Sequence, residues 1–194
     1  MLQLPDGKMA VGTASGIFII DPDSEVVEEL NYFLPGGSQV SKYVCTLYLH
    51  GEDELWIGTD GGGVYVYSLS SGAVLRNLST AEGLPSSTIS SICKDAYNRI
   101  LIATDAGLAY VDSDLSDKVI DVNYGFNIDC EYVGGAVVNM HNGQILYGTT
   151  TGALINRWYG KMNATLLSIS MGIGGFGGTV GSILVGRSYV ERQA

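Results

Sequence analysis

A twelve-residue segment recurs four times in this chain: KMAVGTASGIFI (Lys8 to Ile19), ELWIGTDGGGVY (Glu54 to Tyr65), RILIATDAGLAY (Arg99 to Tyr110) and QILYGTTTGALI (Gln144 to Ile155). Its shared threonines, Thr13, Thr59, Thr104 and Thr149, stand at intervals of 46, 45 and 45 residues. A fixed period of this size means stacked like units, each too small to bury its own apolar surface and each completed by a neighbour. The fold must therefore be assembled from about four copies of one supersecondary unit.

Within a unit, apolar residues alternate in twos. Alternating stretches such as Val44-Cys45-Thr46-Leu47 and Ile89-Ser90-Ser91-Ile92 precede a polar turn, which reads Pro5-Asp6-Gly7-Lys8, His50-Gly51-Glu52-Asp53, Asp95-Ala96-Tyr97-Asn98 or His141-Asn142-Gly143-Gln144. Asp-Gly and Asn-Gly supply the positive φ angles of tight hairpins, so two antiparallel strands are expected to meet there. The second strand is Leu55-Trp56-Ile57-Gly58-Thr59 or its equivalent. A turn at Gly16, Gly62, Gly107 or Gly152 leads into a third strand such as Val64-Tyr65-Val66-Tyr67, and a segment such as Ala73 to Leu78 supplies a fourth. Four short antiparallel strands per unit predict an all-β fold of about four β-propeller blades over residues 1–160, a partial propeller. Helical solenoids of similar period are disfavoured by the two-residue alternation and the interrupting glycines.

Composition supports this reading. Apolar residues make up 46%, too many for a disordered chain, and 27 glycines with 12 tyrosines suit turn-rich β structure. A net charge of −10 argues against nucleic acid and anionic membranes as direct partners. Three cysteines, Cys45, Cys93 and Cys130, fall at non-equivalent places in the repeat, so they read as buried thiols and not as a disulfide or metal framework. Met1 is followed by neither a basic nor an apolar leader, and the first repeat starts almost at once, as in a chain cut from something longer.

The second and third units carry a family resemblance. LYLHGEDELWIGTDGGGVYVY (Leu47 to Tyr67) and GLPSSTISSICKDAYNRILIATDAGLAYV (Gly83 to Val111) resemble the two-component regulator propeller repeat, which runs as a GLP turn, an alternating strand, a D-x-x-G hairpin, then LWIGT and a GL strand. The fourth unit, Tyr124 to Ile155, resembles the variant ending such a propeller, with Gly125, Phe126, Asn127, Gly135, Ala136, Asn142 and Gly143 at its marked places. The likeness covers about residues 1 to 157. It implies the periplasmic sensor region of a Bacteroidetes hybrid two-component histidine kinase, in which propellers and an immunoglobulin-like domain precede a membrane helix, kinase, receiver and DNA-binding domain. Many such sensors answer to oligosaccharides. The remaining blades and downstream domains of the parent chain, an oligosaccharide ligand and a homodimer are the partners implied; no cofactor is.

In a four-stranded meander the strand 2 to 3 turns and the inter-blade links share one face. On it fall Ala14-Ser15, Asp60-Gly61-Gly62, Asp105-Ala106 and Thr150-Thr151, with the links Gly36 to Lys42, Gly83 to Thr88 and Asn127 to Glu131. Candidate ligand-binding residues are accordingly Lys42, Asp60, Asp105, Asn127, Asp129 and Glu131, whose polar groups suit sugar hydroxyls; turn polarity is the simpler account of the aspartates. Trp56 and the repeated threonines read as scaffold. Lys42, Arg76 and Arg99 are candidate receivers for an acidic saccharide, or scattered surface charge. His50 and His141 are too few for a zinc site. No nucleophilic triad or paired buried carboxylates are legible, and Gly172 to Gly178 lacks the Gly-Lys-Ser/Thr ending of a nucleotide loop. The segment is thus expected to be noncatalytic: a sensor or relay first, an interaction scaffold second, and a lyase or glycosidase last.

Residues 161–194 differ in character, with 25 uncharged residues from Met162 to Gly186. The length suits a bilayer, but Leu167, Ile169, Met171 and Ile173 alternate with serine and glycine, so a Gly-rich β tail is expected over a membrane helix.

Overall fold

In a computed structural model, the residues described are 1–32, 34, 41–95, 98–111, 119–121, 132–140, 144–150, 152–159 and 163–170. They form four four-stranded antiparallel sheets, each a meander in chain order. Blade 1 comprises β1 (Leu2–Gln3), β2 (Met9–Thr13), β3 (Gly16–Asp21) and β4 (Val26–Leu30); blade 2 comprises β5 (Val44–His50), β6 (Glu54–Thr59), β7 (Val64–Ser68) and β8 (Ala73–Leu78). Blade 3 holds β9 (Ile89–Lys94), β10 (Ile100–Thr104), β11 (Gly107–Val111) and β12 (Val119–Asp121). Blade 4 holds β13 (Tyr132–Asn139), β14 (Ile145–Thr149), β15 (Gly152–Tyr159) and β16 (Asn163–Ser170). The fourth sheet therefore runs past residue 160, because β16 pairs with β15 from Gly152↔Ser170 to Tyr159↔Asn163. The first strands lie together: β9 packs beside β5 and β13, and β1 beside β5. The sheets thus radiate from a common axis as propeller blades. Among the described residues no helix is long and apolar enough to cross a membrane.

Blades 2 and 3 each bury two faces, one toward the blade before and one toward the blade after. On blade 2, the leading face presents Leu55, Ile57, Tyr65 and Tyr67, which join Ala10 and Ile17 of blade 1 in one core. Its trailing face presents Trp56, Val64 and Val66, which join Ile89, Ile92, Ile100 and Ile102 of blade 3. Blade 3 repeats the arrangement with Cys93, Leu101, Ala103 and Leu108 against Ile145 and Tyr147 of blade 4. Strand alternation explains why successive residues serve opposite neighbours.

The residue before each repeated threonine is small because the next blade sits on it. A Cβ placed on Gly12 would lie 2.5 Å from Val44 Cγ1, and one on Gly58 would lie 2.7 Å from Ile89 Cγ2. Val44 and Ile89 are the first residues of β5 and β9, so each blade seats its innermost strand on the glycine of the blade before. Blade 3 has Ala103 at this place, fully buried in the core it shares with blade 4.

The threonines close the following turn. Thr13 Oγ1 donates to the carbonyl of Gly16 at 3.0 Å, Thr59 Oγ1 to that of Gly63 at 2.8 Å and Thr104 Oγ1 to that of Gly107 at 2.8 Å. In blade 2 the turn glycine is therefore Gly63, not Gly62: the turn is one residue longer, and Gly63 has φ +76° with Leu78 O only 2.1 Å from where a Cβ would stand. Trp56 is fully buried and its Nε1 donates to Glu54 Oε2 at 3.1 Å, which satisfies the ring's single donor.

Arg99 is not surface charge. It is buried in the β9–β10 hairpin, where its Nε donates to Asp95 Oδ2 at 2.7 Å and its guanidinium carbon lies 5.1 Å from the Tyr110 ring. Asn98, in the left-handed region at φ 65°, fills the glycine place of that hairpin. Arg76 likewise lies over Trp56 at 5.2 Å, so neither arginine is held ready for an acidic ligand.

Two predictions follow from the packing. Gly58→Val adds two branches against Ile89 and Thr46 and is expected to cost ~2 kcal/mol, read as a lower urea midpoint, whereas Leu75→Ala at an exposed site changes little. A Gly58→Val midpoint equal to the parent's would refute the seat. Burial pushes the Cys93 thiol up to about 12 against the opposing effect of Tyr147 Oη, 3.8 Å from its sulfur. In a Cys45→Ser, Cys130→Ser background, Cys93 should resist a disulfide reagent at pH 8 until the protein is unfolded; prompt modification in the native state would contradict its burial.

Candidate functional site

The turns between second and third strands and the links between blades do converge. The link into blade 2 is anchored by two tyrosines: Tyr32 Oη donates to the Ser41 carbonyl at 3.0 Å, and Ser41 N donates to Tyr65 Oη at 3.2 Å. Their rings stand 5.9 Å apart, tilted by 59°. Ser41 Oγ continues the chain to the Asp60 carbonyl at 2.9 Å, and Asp60 N donates to Tyr43 O at 3.0 Å. On the other side, Thr88 Oγ1 donates to Asp60 Oδ1 at 3.1 Å, and Thr88 O accepts from Asp105 N at 3.2 Å. Asp60 therefore touches the links on both flanks of blade 2, and Thr88 joins the turns of blades 2 and 3.

Small residues make these approaches possible. A Cβ on Gly62 would lie 2.6 Å from Ser41 Cβ and 2.7 Å from Tyr65 Oη, so the link can lie against the turn only because Gly62 has no side chain. The link into blade 3 opens with a one-turn 3-10 helix, Thr80–Glu82, whose capping box pairs Ser79 and Glu82. Gly83 ends it in the left-handed region at φ 103°, which lets Leu84 turn into the core beside Val64. Hydrogen bonds from Ser79 hold the Glu82 carboxyl below the ordinary carboxylate range.

The innermost strands bulge at this same end. Val44 pairs with Thr59 and Thr46 with Gly58, leaving Cys45 extra; Ile89 pairs with Thr104 and Ser91 with Ala103, leaving Ser90 extra. In β13 the irregularity is larger, between Tyr132 and Val137. Bulges of this kind re-aim side chains at the rim of a sheet. Burial, with the Asp60 charge second, pushes the Cys45 thiol up, which places that bulge within the electrostatic reach of the turn.

Of the sequence candidates, Asp60 and Asp105 are exposed on this face and are joined through Thr88; no contact between the two carboxylates is seen. Lys42 is exposed beside them, 3.3 Å from Glu29 Oε1. Asn127, Asp129 and Glu131 lie outside the described residues. Sequence reasoning passed over Tyr43, exposed next to Lys42, and Thr88; Tyr43 directly precedes the buried seat residue Val44, a position from which a side chain is projected outward. Together the face offers carboxylates, hydroxyls, an ammonium and an aromatic ring, a set that hydrogen-bonds and stacks. Among the described residues no three His, Cys, Asp or Glu side chains converge on a metal site.

The blades define a class before any one relative does: four-stranded antiparallel meanders about an axis, the architecture of a β-propeller. Residues 83–106, from the capping glycine through the Thr104 turn of blade 3, match the family model described as two component regulator propeller. Solved structures of similar fold include two extracellular domains. The extracellular domain of BT4673 from B. thetaiotaomicron, assigned to a hybrid two component system, superposes with TM-score 0.67 at 14% identity over 86% of this chain. That of BT3049, assigned likewise and from the same organism, does so with TM-score 0.63 at 22% identity over 85%. In each comparison the chain spans 26% of the matched structure's length. No curated protein matches the sequence.

The tyrosine anchor carries a pH signature. Burial pushes the Tyr32 hydroxyl from its ordinary 10.0 to about 12, with Tyr65 adding to the effect. A raised pKa in the folded state contributes stability that is complete below pH 10 and is lost as pH rises toward 12. Tyr32→Phe should lower the urea midpoint at neutral pH, through loss of the donation to Ser41, and lessen its fall above pH 10. A fall equally steep in parent and variant would detach that limb from Tyr32.

Proposed function

We propose that this chain is a noncatalytic ligand-sensing and signal-relay segment of an extracytoplasmic sensor belonging to a hybrid two-component histidine kinase, and that its ligand is a glycan. The observation that carries the reading is the match of residues 83–106 to a two component regulator propeller repeat within a four-blade fold. Support for the location comes from the extracellular character of the similar solved domains. Support for a saccharide comes from the loop face, where Lys42, Tyr43 and Thr88 of the inter-blade links stand with the repeat's turn carboxylates Asp60 and Asp105.

The relay follows from the hydrogen bonds. A hydroxyl-rich ligand competing for the Asp60 carboxylate draws it from Thr88, which at present couples the turns of blades 2 and 3. Such a ligand shifts the blade-to-blade packing only by its differential affinity for the two arrangements. Whatever domains follow then read a change in the propeller and not a chemical product.

Titration calorimetry against neutral and acidic oligosaccharides tests the proposal. Binding is expected to at least one class, and Asp60→Asn with Asp105→Asn should weaken it about tenfold, the effect of roughly 1.4 kcal/mol. Absence of heat with every saccharide would remove the glycan, and turnover of a labelled oligosaccharide would replace sensing with catalysis.

A further inference from the structure

Blades 2 and 3 fill one outer corner of the trailing face with an arginine laid over an aromatic ring, and blade 1 does not. Arg76 covers Trp56 in blade 2, and Arg99 covers Tyr110 in blade 3. By strand register the place of Trp56 falls to Ala10, that of Tyr110 to Ile19 and that of Arg76 to Glu28. Blade 1 thus contributes no ring here, and a carboxylate stands where blade 2 has a guanidinium. Lys8 holds the place of Arg99, but its Nζ is engaged 3.7 Å from Asp6 Oδ2. What results is an open groove of about 220 Å³ lined by Lys8, Ile19, Asp21, Ser24, Val26 and Glu28. Ile19 is only half-buried in it, whereas Val66, at the same place in blade 2, is fully buried.

The groove lies on the face that carries Ala10 and Ile17 into the core shared with blade 2. It adjoins the turn between β3 and β4, at the end of the meander away from the strand 2 to 3 turns, so it is separate from the loop face. Its floor is apolar, from Ile19 and Val26, and its rim is acidic. Asp21 Oδ1 accepts from Asp23 N at 3.0 Å and Ser24 N at 3.3 Å, which fixes that carboxylate in place. Glu28 joins no ion pair among the described residues. Sites for whole small molecules run from about 300 to 1,000 Å³, so this smaller groove suits one side chain. We propose that it receives an arginine side chain of a partner protein, which supplies at blade 1 the guanidinium that blades 2 and 3 carry themselves. The stem lies on Ile19 and Val26, and the head meets Asp21 and Glu28. Arginine suits this better than lysine, because its planar fork matches carboxylates and is more weakly hydrated. The charge of −10 draws such a basic partner in.

Amide shifts of the isotope-labelled full chain, titrated with a glycine-flanked arginine peptide, test this. Saturable shifts are expected at Ile19, Ser24 and Val26, and none with a citrulline peptide, which keeps the shape and lacks the charge. Glu28→Gln should weaken binding about fivefold, the upper reach of one exposed ion pair. Glu28→Arg, which sets blade 2's own cation in the corner, should abolish it with unchanged circular dichroism, since Glu28 is exposed; if that variant misfolds, Glu28→Lys takes its place. Glu52→Gln removes the same charge from an exposed hairpin of blade 2 and should leave binding as it is. Equal binding of a citrulline or lysine peptide, or shifts that miss the groove, would overturn the proposal. So would a Glu52→Gln loss as large as that of Glu28→Gln, which marks general attraction to an acidic surface.

Discussion

The absence of a side chain before each turn threonine governs the rest of this architecture. Gly12 and Gly58 allow Val44 and Ile89 to come within van der Waals reach of the backbone of the blade before, which draws each first strand toward the axis. With the first strands so placed, strand alternation sends Leu55 and Ile57 one way and Trp56 the other, and the interfaces fill themselves. Dispersion and apolar burial supply the stability, but close approach decides where they act. Blade 3 makes the point by exception. It carries Ala103, whose single methyl is fully buried in the core shared with blade 4.

The loop face depends on the same seat in a second way. The strands that begin at Val44 and Ile89 are entered from the links carrying Ser41 to Tyr43 and Ser86 to Thr88, so seating a blade also delivers its link to the turn beside Asp60. Packing and polar contacts are therefore coupled at one place. The side-chain hydrogen bonds of Tyr32, Tyr65 and Ser41 satisfy backbone groups that would otherwise be stranded as the chain crosses between sheets.

Much of the fold was legible because it repeats. Thr13, Thr59 and Thr104 announce the period, and the alternation around Trp56 distinguishes strands from helix. Where units depart from the pattern, local reading fails. Blade 2 has three successive glycines after Asp60, and only the register of β6 with β7 identifies Gly63 as the turn residue. Arg99 looked like surface charge because its partner, Asp95, is four positions away across a hairpin, and burial cannot be read from that spacing. The site was legible in part: turn polarity indicated Asp60 and Asp105, while Thr88 and the tyrosine anchor depend on pairings between residues 9 to 28 positions apart, which no local pattern records.

The outer margin of blade 1 has a further consequence. β4 is the last strand of its sheet, mostly exposed, and reads Val26-Val27-Glu28-Glu29-Leu30. Its free edge presents unpaired backbone groups beside two exposed valines, the pattern that recruits foreign strands into aggregates. The adjacent glutamates act as gatekeepers: a strand laid along this edge would bring its own backbone carbonyls and side chains against two carboxylates in a chain already at −10. Growth by strand addition is thereby penalised, so concentrated protein should remain soluble without any covering of the edge itself.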